Sequence, residues 1–372
     1  MKCTTRRGCT IAALICTFLC LAPQSPAQGG IADPTPGEIE EDLGKRMKQW
    51  RAWQLSVSTK KSAQWQVKKR GAMILVVSKS IAGTRNLTHI SNLASAMRKW
   101  LDKHFKGITP WKVPKPVVRV CSTSNQARDF RQGLPGPYIW KSGEVVIVHG
   151  IGRALLGTFT DLGKGLTSHY VDMQSPSFLG AMPDWLKAGL PNHAGQASMT
   201  KKAGFIFRAN RSSWRQGVAM VKAGTLIPAE AVVKTPHGEL SSMRRNSVGD
   251  CRVVSELLIR YLTFSRGQKG KTRGFIKNYL AQLHADLYRI ELETWMKVMR
   301  SEMQAKLKPS PSELRQNFRD YLATLGNFKR HPEADRLKMK DSAFAAAFAR
   351  WKPADWRRLD KALRSYIQNG LR

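Results

Sequence analysis

Cysteine is scarce in this chain, acidic residues are few beside basic ones, and no apolar run is long. Of the six cysteines, Cys3, Cys9, Cys16 and Cys20 fall within residues 1–27, which leaves Cys121 and Cys251 for the rest. A small disulfide framework is thereby excluded, while one Cys121–Cys251 bridge or two separate buried thiols both stay open. The apolar run at residues 11–22 is shorter than the roughly 18 residues a membrane helix needs, and nothing later approaches that length. Catalytic signatures are missing as well: the chain has no HExxH pair, no GxSxG elbow and no phosphate-binding glycine loop. The basic stretch SRGQKGKTRG (265–274) lacks the preceding strand and glycine spacing of a P-loop, and reads as a solvated turn. No solenoid-length repeat and no low-complexity tract appear.

What the chain has is positive charge. Lys and Arg number 62 against 26 Asp and Glu, a formal net charge of +36. Lys2, Arg6 and Arg7 precede the apolar run 11–22, and Ser25-Pro26-Ala27 follows it, so residues 1–27 read as an export signal and place the remainder in the periplasm or outside the cell. About +33 then remains on about 345 residues, enough chain for one large domain or two lobes sharing a core. That charge is spread along the chain and attracts acidic proteins or anionic envelope polymers. No nucleic-acid module accompanies it, so specific nucleic-acid binding is not expected.

Pattern divides the rest. Residues 28–37 (QGGIADPTPG) read as a linker. Residues 38–64 read as a helix and its connection, with acids in the first turn and bases in the last, complementing the helix dipole. The β-branched run at 74–77 predicts a strand, the stripe Ile90, Leu93, Met97, Trp100, Leu101, Phe105 a helix, and VVRVCS (117–122) and EVVIVHG (144–150) two further strands. Between those strands, NQARDFRQGLPGPYIW reads as a short helix and a Pro/Gly turn. From residue 151 onward the pattern turns helical. Leu155, Phe159, Leu162 and Leu166 have the spacing of a buried face, and further helices are expected at 251–264, 272–283, 292–307, 312–325 and 356–369. Residues 194–249 give no clear pattern. The fold class expected is α+β: a small mixed sheet with helices, then a mainly helical half.

PDWLKAGL (183–190), the apolar helix 153–166 upstream of it, and the mixed strand-and-helix half before that resemble the peptidase MA-like branch of the gluzincin metallopeptidases. SELLIRYLTFSRGQ and DSAFAAAFARWKPADWRRLDKALRSYI resemble the segments closing that domain, so the resemblance spans residues 65–368, as a mixed lobe (65–150) and a helical lobe (151–368). The resemblance implies a zinc site, built on an HExxH helix whose histidines four apart face one way, with a glutamate from a neighbouring helix. Carried onto this chain, the HExxH positions fall on GTFTD, where Phe159-Thr160 match the family's intervening pair. Gly157 takes the first histidine's place, Thr158 the base's, Asp161 the second histidine's and Ala188 the third ligand's. Gly157 in a helix costs about 1 kcal/mol relative to alanine, so helix stability does not explain it. Pro191 stands where the family's helix continues, and is expected to kink or end it.

A second registration, HGIGR (149–153), keeps His149 but carries two glycines at the end of a strand, and lacks the helix that would align residues four apart. A rebuilt site from Asp161, His169 and His193 is a further alternative, since a carboxylate and two imidazoles hold zinc. The bland reading of lone histidines is a surface or hydrogen-bonding role. Trp100, Trp185 and Trp351 are read as core anchors, and Trp214, beside Arg211 and Arg215, as either core or an exposed aromatic shelf. The function expected is that of an exported metallopeptidase-like protein without catalysis or cofactor, binding through the surface between helices 153–166 and 183–190. The alternatives are a hydrolase with a rebuilt zinc site or another nucleophile, and a structural envelope protein.

Overall fold

The computed structural model describes residues 35–60, 62–108, 113–131, 136–139, 142–174, 178–200, 204–235, 245–264, 274–304 and 347–369, together with residues 316, 342, 344 and 345. The expected export signal lies outside them, as does nearly all of the helix expected at 312–325 and of the basic turn at 265–274.

Helix α1 (Pro36–Ser58) starts earlier than a linker at 28–37 allows. Thr35 accepts a bond from the Glu38 amide at 3.3 Å, and Glu38 accepts one from the Thr35 amide at 2.8 Å, a reciprocal cap with Pro36 in the first turn. The helix also runs on to Ser58, so its last turn holds no base and the expected dipole match at that end is absent. Strand β1 (Trp65–Arg70) turns through Gly71, at φ +48°, into β2 (Met73–Ser78), its antiparallel partner. Helix α2 (Asn86–Phe105) crosses to β3 (Val117–Cys121), which runs parallel to β2. Helix α3 (Ser124–Arg131) leads past the two-residue strand β4 (Tyr138–Ile139) to β5 (Glu144–Val148), which is parallel to β3 and antiparallel to β4. The resulting sheet has the order β1-β2-β3-β5-β4.

Strands β2, β3 and β5 are buried on both faces, the reason they read as predominantly apolar runs. One face meets α2 and the main core. The other carries Arg119, which donates to Glu144 at 2.8 and 2.9 Å and to the Ser58 carbonyl at 3.1 Å, tying β3 to β5 and to the end of α1. Its guanidinium lies 4.7 Å from the Trp65 ring centre and 4.2 Å from that of Phe130, so the ion pair is covered by aromatic faces.

Beyond the sheet come α4 (Leu155–Asp172), α5 (Phe178–Ala181) and α6 (Asp184–Ala194), then the hairpin β6 (Ala197–Thr200) and β7 (Gly204–Phe207). Helices α7 (Arg211–Lys222), α8 (Ala229–Lys234) and α9 (Arg245–Phe264) follow. The segment 194–249, opaque in sequence, thus holds a hairpin, two helices and the start of a third. The helices expected at 272–283 and 292–307 are one, α10 (Phe275–Gln304), because Leu280, Leu283, Leu287 and Trp295 keep one buried stripe through the join. Helix α11 (Pro353–Asn369) buries Trp356, Leu359, Leu363 and Ile367. The α+β class is as expected, and a single hydrophobic cluster runs from Met73 and Leu75 in the sheet to Leu363 and Ile367, so the two halves share one core.

Candidate functional site

The region of interest is the elbow where β5 passes into α4, with α6 packed alongside. Phe159, Leu162, Leu166 and Tyr170 seat α4 in the core. Gly165 is required by close approach to the sheet: a Cβ there would lie 2.3 Å from Val145 Cγ1. Gly163 is required by α6, since its Cβ would lie 2.2 Å from the Ala194 carbonyl oxygen. The two helices therefore touch backbone to backbone at that end, and the groove expected between them is closed there. Around Gly157, one turn and a half earlier, space is open: a Cβ there would meet nothing within 4 Å.

Each position that the metallopeptidase pattern singled out has a definite setting. Gly157 is exposed and has no side chain. Thr158 is buried, and its hydroxyl donates to the Val148 carbonyl at 2.8 Å and accepts from the Gly150 amide at 2.9 Å. It closes the β5–α4 elbow and so has a structural task of its own. Asp161 is paired with Arg131 of α3 at 3.0 Å, and the same guanidinium nitrogen donates to the Val146 carbonyl at 2.8 Å. Ala188 on α6 is half-buried and offers no donor. Sequence reasoning missed Arg131, because nothing in a short helix thirty residues upstream announces a partner for Asp161.

His149 lies in the loop after β5, with Nε2 3.1 Å from Thr84 Oγ1. A Cβ on Gly150 would lie 2.3 Å from the Ala154 carbonyl, and Gly152 has φ +59°. A regular helix through HGIGR is thus ruled out, in keeping with the two glycines that stand there.

His169 and His193 are both buried, but the structure does not gather them with Asp161: among the described residues no three His, Cys, Asp or Glu side chains stand close enough to hold a metal ion. Burial pushes His169 down to about 4 and His193 down to about 3, so both are neutral rings at neutral pH. His193 stacks on Phe207 with ring centres 4.7 Å apart and lies 6.1 Å from Trp100, an aromatic packing role. His169 meets Tyr138 edge to face at 5.9 Å. The residues present do not fit a catalytic zinc. Two of the four pattern positions have no donor atom, the third holds the backbone, and the fourth is paired with a cation.

The other candidate residues resolve simply. Cys121 and Cys251 are buried thiols that are not joined, so the bridge left open by their number does not form. Cys121 belongs to a small cluster with Ala127, Ile139 and Val146 behind the sheet, whereas Cys251 lies on α9. Burial pushes the Cys121 thiol up to about 12, which leaves almost no thiolate at neutral pH. Trp214 is not a shelf. It is buried, 5.3 Å from Tyr366 of α11, while its neighbours Arg211 and Arg215 are exposed. Trp185 is fully buried and Trp100 nearly so, while Trp351 packs partly buried against Phe348 and Trp356. Pro191 neither ends nor breaks α6, which continues to Ala194; the Pro191 carbonyl still accepts a bond from Gly195 at 2.8 Å.

The cation-lined surface lies elsewhere. A shallow groove of about 440 Å³ on α11 is lined by Arg357, Asp360, Lys361, Arg364, Ser365 and Gln368. Among the described residues, no helix is long and apolar enough to cross a membrane. Comparison with protein-family models, with curated proteins and with solved structures finds no match to this chain.

Proposed function

We propose that the chain is an exported, non-catalytic binding protein built on a metallopeptidase-like arrangement of α4 and α6, with anionic partners. The observation that carries this reading is the state of the four pattern positions. Thr158 and Asp161 are committed to the elbow and to Arg131, while Gly157 and Ala188 carry no ligand atom. An active site needs the opposite: a donor set converging on one point and a base free to take a proton. The excess of cations supports the partner class, because a strongly positive surface attracts polyanions at long range.

The test has two arms. After dialysis against trace zinc, mass spectrometry of the purified chain is expected to find far less than one zinc per molecule; a stoichiometric amount overturns the non-catalytic reading. The scaffold is tested by restoring ligands in the variant Gly157→His/Asp161→His/Ala188→Glu, with Thr158 kept to preserve the elbow. One zinc per folded molecule is expected. A folded variant that takes up none overturns the metallopeptidase-like placement of α4 and α6.

A further inference from the structure

Helices α7 and α11 lie side by side. Trp214 and Gly217 of α7 face Tyr366 and Ile367 of α11, with a Cβ on Gly217 placed 3.4 Å from Ile367 Cγ2. Each helix commits one face to the shared core and turns the other to solvent. On α7 the solvent face carries Arg211, Arg215 and Lys222, and that helix contains no acid. On α11 it carries Arg357, Arg358 and Lys361, with half-buried Arg364 continuing the row. Arg357, Lys361 and Arg364 stand four and three residues apart, so they share one side of the helix. Ser365 and Gln368 prolong that row to about 16 Å at 1.5 Å per residue.

The acids of α11 neutralise this row only in part: each also caps backbone, and the Asp355–Arg358 pair is long at 3.9 Å. Asp360 accepts from the Ala229 amide at 2.7 Å, and Asp355 from the Lys352 amide at 2.9 Å. Arg364 donates one nitrogen to the Leu226 carbonyl at 3.3 Å, which fixes its guanidinium at the edge of the groove. Helix α1 is more closely paired, with Lys45 at 2.7 Å from Glu41 and Arg46 at 2.9 Å from Asp42.

We propose that the outer faces of α7 and α11 form the docking surface for a linear acidic polysaccharide, a chain that carries fixed sulfates or uronic carboxylates among its hydroxyls. A row of guanidinium and ammonium groups ending in Ser365 and Gln368 suits a chain that presents both anions and hydroxyls. A bilayer surface fits less well, because the large exposed hydrophobics among the described residues (Leu55, Val57, Ile151 and Leu156) are on α1 and at the β5–α4 elbow, and none is on this face. Single-stranded nucleic acid fits less well too. Trp214 and Trp356 are buried and Tyr366 packs between Trp214 and Tyr261, so no stacking platform is presented. The inference rests on the reading of the chain as a binder of anions and adds where it binds and what kind of anion.

Two double charge reversals test it. Arg357→Glu/Lys361→Glu alters the proposed face; Lys69→Glu/Arg70→Glu makes the same charge change at exposed positions of β1. The full exported chain is titrated at physiological salt with a sulfated oligosaccharide and, separately, with long-chain polyphosphate, which carries anions without hydroxyls. The α11 variant is expected to lose at least tenfold in affinity for the oligosaccharide, and the β1 variant less than threefold, with circular dichroism showing both folded; no binding of the oligosaccharide by the unaltered chain overturns the proposal. Equal losses overturn the proposal in favour of a diffuse field. So does tighter binding of polyphosphate or of a twenty-base-pair DNA duplex than of the oligosaccharide, or binding confined to phosphatidylglycerol vesicles. Zinc content is read on the unaltered chain, so a zinc-bearing protein that still binds polymer through α11 refutes only the non-catalytic reading.

Discussion

The arginines of the sheet region and those on α7 and α11 have the same side chain and opposite employments. Arg119 is enclosed by Glu144, Ser58, Trp65 and Phe130; Arg131 joins Asp161 to β5; Arg98 holds Asp102 and the carbonyls of Val113 and Pro114. These cations are construction, each replacing lost water with oxygen atoms of the protein. On α7 and α11 the cations stay at the surface, and the acids of α11 cap backbone amides, with Asp355 also 3.9 Å from Arg358. Net charge therefore says little by itself about what a basic protein binds. What matters is which cations the fold has already used.

The largest effect expected from breaking this comparison is at Arg119. Arg119→Ala leaves Glu144 buried without its partner, and urea unfolding is expected to show a loss of about 3–5 kcal/mol. The paired replacement Arg119→Met/Glu144→Leu removes both charges at similar volume and is expected to recover most of that loss.

Acid is expected to act next. His169, His193 and His284 are held by burial at about 4, about 3 and about 4, below the ordinary 6.5. Their contribution is therefore present above pH 6.5 and lost as pH falls through those values. Asp172 works in the other direction. Burial pushes it up to about 7 even though Tyr138 donates to it and Arg51 is near, so its contribution is present below the ordinary 3.8 and lost as pH rises through 7. His104 and His149 are shifted down, and Glu256, Asp286 and Asp360 up, by smaller amounts, so the three deeply shifted rings set against Asp172 decide the sign and the melting temperature is expected to fall between pH 6 and pH 4. Asp172→Asn removes the opposing contribution and is expected to steepen that fall. A flat profile in the unaltered chain would contradict this account.

The smallest effect sharpens the comparison at its boundary. Arg131 and Asp161 form a partly exposed pair, and a double-mutant cycle with alanine is expected to give a coupling of about 0.5–1 kcal/mol. Lys361→Ala, fully on the solvent side, is expected to stay within about 0.5 kcal/mol of the unaltered chain. A coupling near zero for Arg131 and Asp161 would move that pair into the solvent class.

Legibility in the sequence follows burial. Strands β2, β3 and β5 are visible because strands covered on both faces are mostly β-branched and apolar, with Arg119 and Glu144 the paired exceptions, whereas β1 (WQVKKR) is a half-exposed edge and β4 has two residues, too short for any period. The stripes of α2, α4 and α11 are visible because one face meets the core. Helix α10 reads as two segments because polar Gln282, Asp286 and Arg289 interrupt its composition without interrupting its buried side. Gly163 and Gly165 give no signal, since a glycine chosen for close approach looks in sequence like one chosen for a turn. The lack of a donor atom at Gly157 and Ala188 is legible in the sequence, but the contacts of Thr158 and Asp161 are not. The bond from Thr158 to Val148 and the pair between Asp161 and Arg131 depend on atoms brought together by β5 and α3.

By itself the sequence determined the α+β class, the three inner strands, the amphipathic faces of the main helices, and the lack of ligand atoms at Gly157 and Ala188. Those follow from side-chain chemistry and periodicity, which are local. Only the tertiary structure decided that Trp214 is buried, that Cys121 and Cys251 stay apart, that Pro191 leaves α6 intact, and which cations are spent inside the fold. Each of these depends on residues distant in the chain competing for the same space or the same oxygen atoms, and that competition is settled by packing.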